Sequence, residues 1–365
     1  MSEYTLYVNS MSPYSIKASA MLGAVGFPCQ PETQNIVTRY AVLKRLTGKT
    51  MVPVLRRGEW ALNDSTKIAR YAIDWGASSL VPDSPLMEAL AWIVEEFADE
   101  WINRWFIYSR WHNDRDFDEV SVDLGREMLF GIPGLQTLVG RAAARMIRGQ
   151  LERGGVSGEN VDALEQSRDR TLQALEEALD GRDRPVFGAT PTVADFGLYG
   201  PLEQYRRDPT GGDRMEGYPA TREWLERIRQ FELPDANADS HWLHTDNADA
   251  EPAWELLETI WSEFFGVYWR ILLANLEAKT EGESSFEAEL ADGTTYRARA
   301  AGYTLGRLDH CLDLLDQVMA QRAELVERAG DEWIRAVDDA TGRLADTPGG
   351  SARLEGYQHL RSSGQ

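Results

Sequence analysis

The chain has 365 residues, 43% of them hydrophobic and 27% charged, a composition that suits a folded protein of two domains or more. Its formal charge of −21 argues against a nucleic-acid partner, and no apolar run approaches the ~18 residues of a membrane span. Two cysteines, Cys29 and Cys311, offer neither a disulfide framework nor a metal-ligand spacing, and five scattered histidines add no zinc pattern. The expectation is therefore a metal-free protein of a reducing cytoplasm. The chain opens on a strand pattern with no basic-plus-apolar leader.

Charge is unevenly spread. Residues 1–80 carry nine Lys/Arg against five Asp/Glu, a net +4, which leaves −25 for the remainder. Chance and a solvated acidic surface account for this as well as a ligand does.

Taken in order, Tyr4-Thr5-Leu6-Tyr7-Val8 reads as a first strand. The loop Asn9-Ser10-Met11-Ser12-Pro13-Tyr14-Ser15 leads into a helix through Gly23. A short, proline-interrupted strand starts in Gly26–Pro31, and Thr38–Leu46 has the spacing of a short helix. Met51-Val52-Pro53-Val54-Leu55 is an apolar run of strand type whose proline belongs at an edge or a bend. Arg57-Gly58-Glu59 turns the chain, Trp60-Ala61-Leu62 resumes it, and Asn63-Asp64-Ser65 supplies helix-start residues. The exposed amides of that helix start favour an anion.

Residues 76–85, GASSLVPDSP, read as a linker. A long helix is expected over Leu86–Trp111, with positions 97, 101, 105 and 108 on one aromatic face. That face could line an apolar site or form interdomain core. Further helices are expected over 118–152, interrupted at Gly131–Gly134, then Val161–Leu179, Thr192–Tyr205 and Thr221–Phe231. Thr192-x-x-Asp195 has the form of a capping box, so Asp195 is assigned a structural part. Residues 232–260 then hold eight Asp/Glu and no Lys/Arg. The aromatic helix 254–278 could roof a site, bury against the second domain or form a dimer surface. A hairpin is expected near 286–298 about Ala291-Asp292-Gly293, a helix over Leu305–Ala329, and a frayed tail from Thr347 that includes Ser362-Ser363-Gly364.

A strand, a loop carrying Ser12-Pro13-Tyr14, a helix, Val52-Pro53 some 41 residues on, and Asp64-Ser65 at a helix start form an ordered set. In that order they resemble the thioredoxin-like domain of the glutathione S-transferase superfamily, closely over 4–75 and loosely over 85–230. The resemblance implies an α/β thioredoxin-like domain (1–78) and an all-α transferase-type domain (85–232); residues 233–365 lie outside that two-domain pattern and read as a mostly helical extension with a hairpin near 286–298. It also implies glutathione as co-substrate, an apolar electrophilic small molecule as the second substrate, detoxification-type chemistry, and a homodimer.

By the same resemblance Ser12 is the catalytic candidate, its hydroxyl donating to the sulfur so that the thiolate, the actual nucleophile, is favoured. The plain alternative is that Ser12 is only an N-cap. No sulfur nucleophile stands in this loop, which weakens a thiol–disulfide exchange reading. Ser10, Tyr14, Ser15 and the strand residue Tyr7 compete for the role. The resemblance makes the Val52-Pro53 bond cis, with Val52 pairing by backbone to the cysteinyl part of glutathione; an edge-strand proline is the plain alternative. It sets Asp64 against the γ-glutamyl ammonium and Ser65 against its carboxylate, where simple capping is the alternative. Tyr14 belongs to the same binding set. Lys49, Arg56 and Arg57 could meet the glycyl carboxylate or be surface charges. Two other functions stay open: a non-catalytic binding protein that uses its extension, and a glutathione-dependent ether-cleaving or dehalogenating enzyme.

Overall fold

The structure, a computed structural model, describes residues 3–129, 134–188, 190–232 and 252–361. The expected break at Gly131-Ile132-Pro133, most of the acidic stretch 232–260, and Ser362-Ser363-Gly364 lie outside the described residues.

The apolar strand β1 (Tyr4–Val8) sits inside a four-stranded sheet of order β2-β1-β3-β4. Helix α1 (Pro13–Ala24) crosses over to β2 (Cys29–Thr33), which runs parallel to β1. Pro31 is tolerated because β2 is an edge strand. A π-helical turn (Thr38–Leu43) and α2 (Lys44–Thr47) precede β3 (Val54–Arg57), antiparallel to β1. The strand starts only after Pro53, so Met51-Val52-Pro53 is a bend and not the strand residues the apolar run suggested. β4 (Trp60–Asn63) pairs antiparallel to β3, and α3 (Ser65–Trp75) closes this thioredoxin-like unit.

The expected long helix is one rod with a defect. α4 (Pro85–Phe97) passes through a π-helical turn (Ala98–Ile102) into α5 (Asn103–His112). Phe97, Trp101 and Trp105 are fully buried, so most of the aromatic face is core. α6 (Asp114–Met128) and α7 (Leu135–Arg153) pack as an antiparallel pair, followed by α8 (Val161–Leu179), α9 (Val193–Arg207), α10 (Pro209–Met215) and α11 (Pro219–Arg229).

After residue 252 come α12 (Trp254–Glu263), a second π-turn-interrupted rod into α13 (Trp269–Glu281), and the hairpin β5 (Ser285–Glu289) and β6 (Thr295–Arg299). The expected single helix near 305–329 is two, α14 (Gly302–Ala320) and α15 (Arg322–Ala329). α16 (Asp331–Asp346), α17 (Gly350–Leu354) and α18 (Gln358–Arg361) follow. The expected frayed tail instead carries two short helices up to residue 361, pinned by buried Leu360 and by the Tyr357 hydroxyl, which donates to Asp309 O at 3.1 Å.

This last region shares the core of the rest. α14 lies on α4, and α12 lies on α8. Buried polar links cross the boundary: Tyr268 donates to Glu96 at 2.8 Å, and Trp101 Nε1 donates to Ser167, which donates in turn to Glu263 at 2.5 Å. The segment 254–278 thus buries against the helical domain, as one of its three expected placements had it.

Candidate functional site: a cleft between the sheet, the π-turn and α14

β1 delivers the chain to a loop, Asn9–Ser12, that the helical domain grips. Arg110, paired with Asp208 at 2.7 Å, donates to Met11 O at 2.8 Å, and Gln204 donates to Ser10 O at 2.8 Å. Glu127 accepts from Asn9 and from the Ser10 hydroxyl. Gly200 of α9 lets α1 approach closely, since a Cβ there would stand 2.8 Å from Pro13 O.

Ser12 is the N-cap of α1: its backbone is extended and its Oγ accepts from Ser15 N at 3.3 Å. A hydroxyl that accepts in this way still has its own proton to donate. Of the competing groups, Ser10 and Tyr14 have their protons engaged, by Glu127 and by Asp99 O, while Ser15 and Tyr7 accept as Ser12 does. Ser15 Oγ accepts from Asn9 N at 3.2 Å. Tyr7 is buried in the strand and accepts from Arg56 at 3.2 Å. Tyr14 donates to Asp99 O at 3.1 Å and accepts from Asn103 at 2.6 Å; burial, then Glu100 and Asp99, push its phenol well above the ordinary range, so it stays neutral.

Tyr14, Val52, Pro53, Asp64 and Ser65 line one cleft of about 400 Å³. The Val52-Pro53 bond is cis. Asn63 Nδ2 donates to Met51 O and Pro53 O, both at 3.0 Å, and so ties that bend to the start of α3. Asp64 has φ 106, a conformation L residues avoid, and its Oδ1 caps α3 by accepting from the Thr66 and Lys67 amides. Lys49 also lines the cleft, whereas Arg56 turns to Gly58 O and Arg57 pairs with Glu3. Ser12 is not among the residues that line this cleft.

The remaining wall comprises Asp99 and Glu100 on the π-turn and Tyr303 and Arg307 on α14. Behind it is a buried triad: Lys17 Nζ meets Glu95 at 2.5 Å and Asp99 at 2.7 Å, while Ser65 Oγ lies 3.5 Å from Asp99 and Thr66 donates to Glu95 at 2.6 Å. One ammonium can balance one carboxylate. Burial opposes the charge of Glu95, but Lys17 outweighs it and holds that carboxyl below its ordinary range. Burial, with Glu95 adding to it and Lys17 opposing, pushes Asp99 up to about 7. Arg307 pairs with buried Glu96, and the Tyr303 hydroxyl donates to Glu100.

Two family profiles match. Residues 6–78 match "Glutathione S-transferase, N-terminal domain", and residues 158–227 match "Glutathione S-transferase, C-terminal domain". The chain carries glutathione S-transferase N- and C-terminal domains. No curated protein matches it. Solved structures similar to it include a GST-like protein from Pseudomonas syringae, 19% identical over 64% of this chain and 68% of that one, with a TM-score of 0.45. A beta-etherase from Sphingobium sp. strain SYK-6 is 20% identical over 66% of this chain and 99% of that one, with a TM-score of 0.45. A transferase family member from Pseudomonas fluorescens pf-5, solved with two glutathione bound, is 16% identical over 64% and 94%, with a TM-score of 0.39.

In this chain, sequence reading missed Lys17, Glu95, Asp99, Glu100, Tyr303 and Arg307. A signal for three of them was present: the run Glu95-Glu96-Phe97-Ala98-Asp99-Glu100 puts carboxylates on several faces of a helix that is otherwise apolar and aromatic. Asp195 is structural as expected, completing the capping box with Thr192 and accepting from Val186 N at 2.7 Å. A second cavity, of about 270 Å³, adjoins the cleft and shares Tyr14, Asp99, Glu100 and Tyr303 with it. The rod contributes Asn103, Arg104 and Ile107 to this cavity, from faces other than the expected aromatic one. The roof of the cleft is α14 and not the segment 254–278, although Ile271 of that segment lines the second cavity. Among the described residues no helix is long and apolar enough to cross a membrane, and no group of three or more His, Cys, Asp or Glu could hold a metal ion.

Proposed function

We propose that this chain binds glutathione in the cleft, favours its thiolate through Ser12, and conjugates it to an apolar electrophile. The observation that carries the reading is that Tyr14, Val52, Pro53, Asp64 and Ser65, distant in sequence, line a single cleft. In this reading the cysteinyl backbone pairs with Val52, and the γ-glutamyl carboxylate meets Ser65 and the first amides of α3. Its ammonium faces Asp99 and the free oxygen of Asp64, and Lys49 meets the glycyl carboxylate. A free thiol titrates near ~8.5, and lowering it by ~2 units takes ~2.7 kcal/mol, which a hydroxyl donor at a helix N-terminus can supply. The thiolate then forms a C–S bond at the electrophilic carbon, and the leaving group departs with the bonding pair.

The test is calorimetric titration with glutathione together with turnover of 1-chloro-2,4-dinitrobenzene. Binding and conjugation are expected; no heat of binding would sink the reading. A second reading, a glutathione-binding protein without turnover, is favoured by one observation, the absence of Ser12 from the cleft lining. Binding without conjugation across a broad panel of electrophiles would select it. We further propose a homodimer that pairs the basic first domain of one subunit with the acidic second domain of the other; light scattering reads the dimer mass, and inter-subunit cross-linking reads the pairing.

A further inference from the structure

The second cavity lies between α5, the end of α7, the hairpin and the start of α14. Its apolar wall includes Ile107, Leu151, Ile271 and Phe286, and its volume is near the small end of ligand sites. Its charges are unusual for so acidic a chain. Of the two carboxylates on its edge, Asp99 shares Lys17, at 2.7 Å, with Glu95, and Glu100 meets the Tyr303 hydroxyl and Arg307 at 3.9 Å. The two arginines that line it lack an ion pair among the described residues, and Glu100 favours the charge of Arg104 from beyond that distance.

Arg104 is held rigidly. Its Nε donates to Glu100 O at 2.8 Å, and its Nη1 donates to Gly154 O at 2.8 Å and to the Tyr296 hydroxyl at 3.0 Å. These bonds use Nε and Nη1, and the two donors of Nη2 have no partner among the described residues. Neither Arg104 nor Arg299 of β6 has a carboxylate within ion-pair distance among the described residues. A fixed guanidinium with spare donors, beside a second one and an apolar wall, suits an anion on a hydrocarbon body.

We propose that this cavity is the acceptor-substrate site and that it selects electrophiles bearing a carboxylate or sulfonate, with Arg104 and Arg299 holding the anion and the apolar wall holding the rest. Ile271, Phe286 and Arg299 of this lining belong to the region beyond residue 252, so this region contributes to specificity. The proposal rests on the transferase reading for turnover, but not for binding of the anion.

The test compares 4-(bromomethyl)benzoate with its methyl ester, each rate divided by its uncatalysed rate with glutathione. In both, sulfur bonds to the benzylic carbon as bromide leaves with the bonding pair. Wild type is expected to favour the acid in kcat/KM by about tenfold, as a charge-assisted hydrogen bond of ordinary strength gives. That ratio should fall toward one in Arg104→Gln and in Arg299→Gln, the latter an exposed residue whose replacement leaves the core intact. A wild-type ratio near one, or a ratio unchanged in both variants, overturns the proposal. Binding of unreactive 4-methylbenzoate and its methyl ester, followed by tryptophan fluorescence, decides the case if neither electrophile is turned over. Preference for the anion that is lost in Arg299→Gln supports the site, and equal binding of acid and ester overturns it. A parallel titration with glutathione reports on the transferase reading alone.

Discussion

Ser12 combines a structural and a proposed chemical part, and two substitutions separate them. Ser12→Ala removes both: the lost cap costs ~1 kcal/mol, and loss of a single donor to a developing anion lowers conjugation ~10²-fold. Ser12→Asp keeps an acceptor for the Ser15 amide but has no proton to donate at neutral pH. It is expected to melt close to wild type by circular dichroism and to lose conjugation all the same. Activity retained in both variants would remove Ser12 from the chemistry. Asp99 titrates in the range where enzymes are assayed. With its pKa raised to about 7, the folded state holds more protons than the unfolded chain from about pH 4 to 7. Its contribution to stability therefore declines as pH rises through that window and levels off above it. Asp99→Asn should gain on wild type from pH 5 to pH 8, by ~2 kcal/mol, in chemical denaturation. The same ionisation supplies the charge proposed to meet the ligand ammonium. Affinity for S-methylglutathione, which has no thiol to titrate, should rise with pH through about 7 in wild type and stay low and flat in the variant.

Elements place these residues by close approach and by a change of helical register. The Gly200 position allows α9 to seat against the first turn of α1. Gly200→Ala would push a methyl to within 2.8 Å of Pro13 O, which should cost ~1–3 kcal/mol and disturb the Ser12 loop. Thermal melts and glutathione affinity should fall together. In the α4–α5 rod, the π-turn turns Asp99 and Glu100 toward the cleft while Phe97, Trp101 and Trp105 remain in the core. A reading at 3.6 residues per turn finds the rod and its aromatic face, but it has no term for the extra residue in that turn. The helices with clear apolar spacing were legible for the opposite reason. Val161–Leu179 was placed at its observed ends because its period is unbroken. α16 carries a similar spacing, with Trp333, Ile334, Val337, Ala340 and Leu344 buried, and went without an expectation.

Across the whole molecule, the region beyond residue 252 completes the cleft instead of hanging from it. One continuous apolar core runs from Tyr4 to Leu360. Buried Glu96 on α4 is satisfied by Tyr268 and Arg307, both from that region. Removing the region would strip Glu96 of those partners and expose to water the apolar faces of α4 and α8 on which α14 and α12 lie, which is strongly destabilising. Scanning calorimetry of the full chain is expected to give a single transition, and a separate early transition would show that the region folds independently.

The sequence by itself determined the thioredoxin-like order of strands and helices, the Ser-Pro, Val-Pro and Asp-Ser set, and the structural part of Asp195. Each depends on neighbours within a few residues, where backbone chemistry and apolar period are readable. Only the tertiary structure decided that Lys17, Glu95 and Asp99 form one buried triad, and that Tyr303 and Arg307 close the cleft from some 240 residues beyond Ser65. Charge pairing across such separations is set by how helices pack, and nothing local in the chain encodes which carboxylate meets which cation.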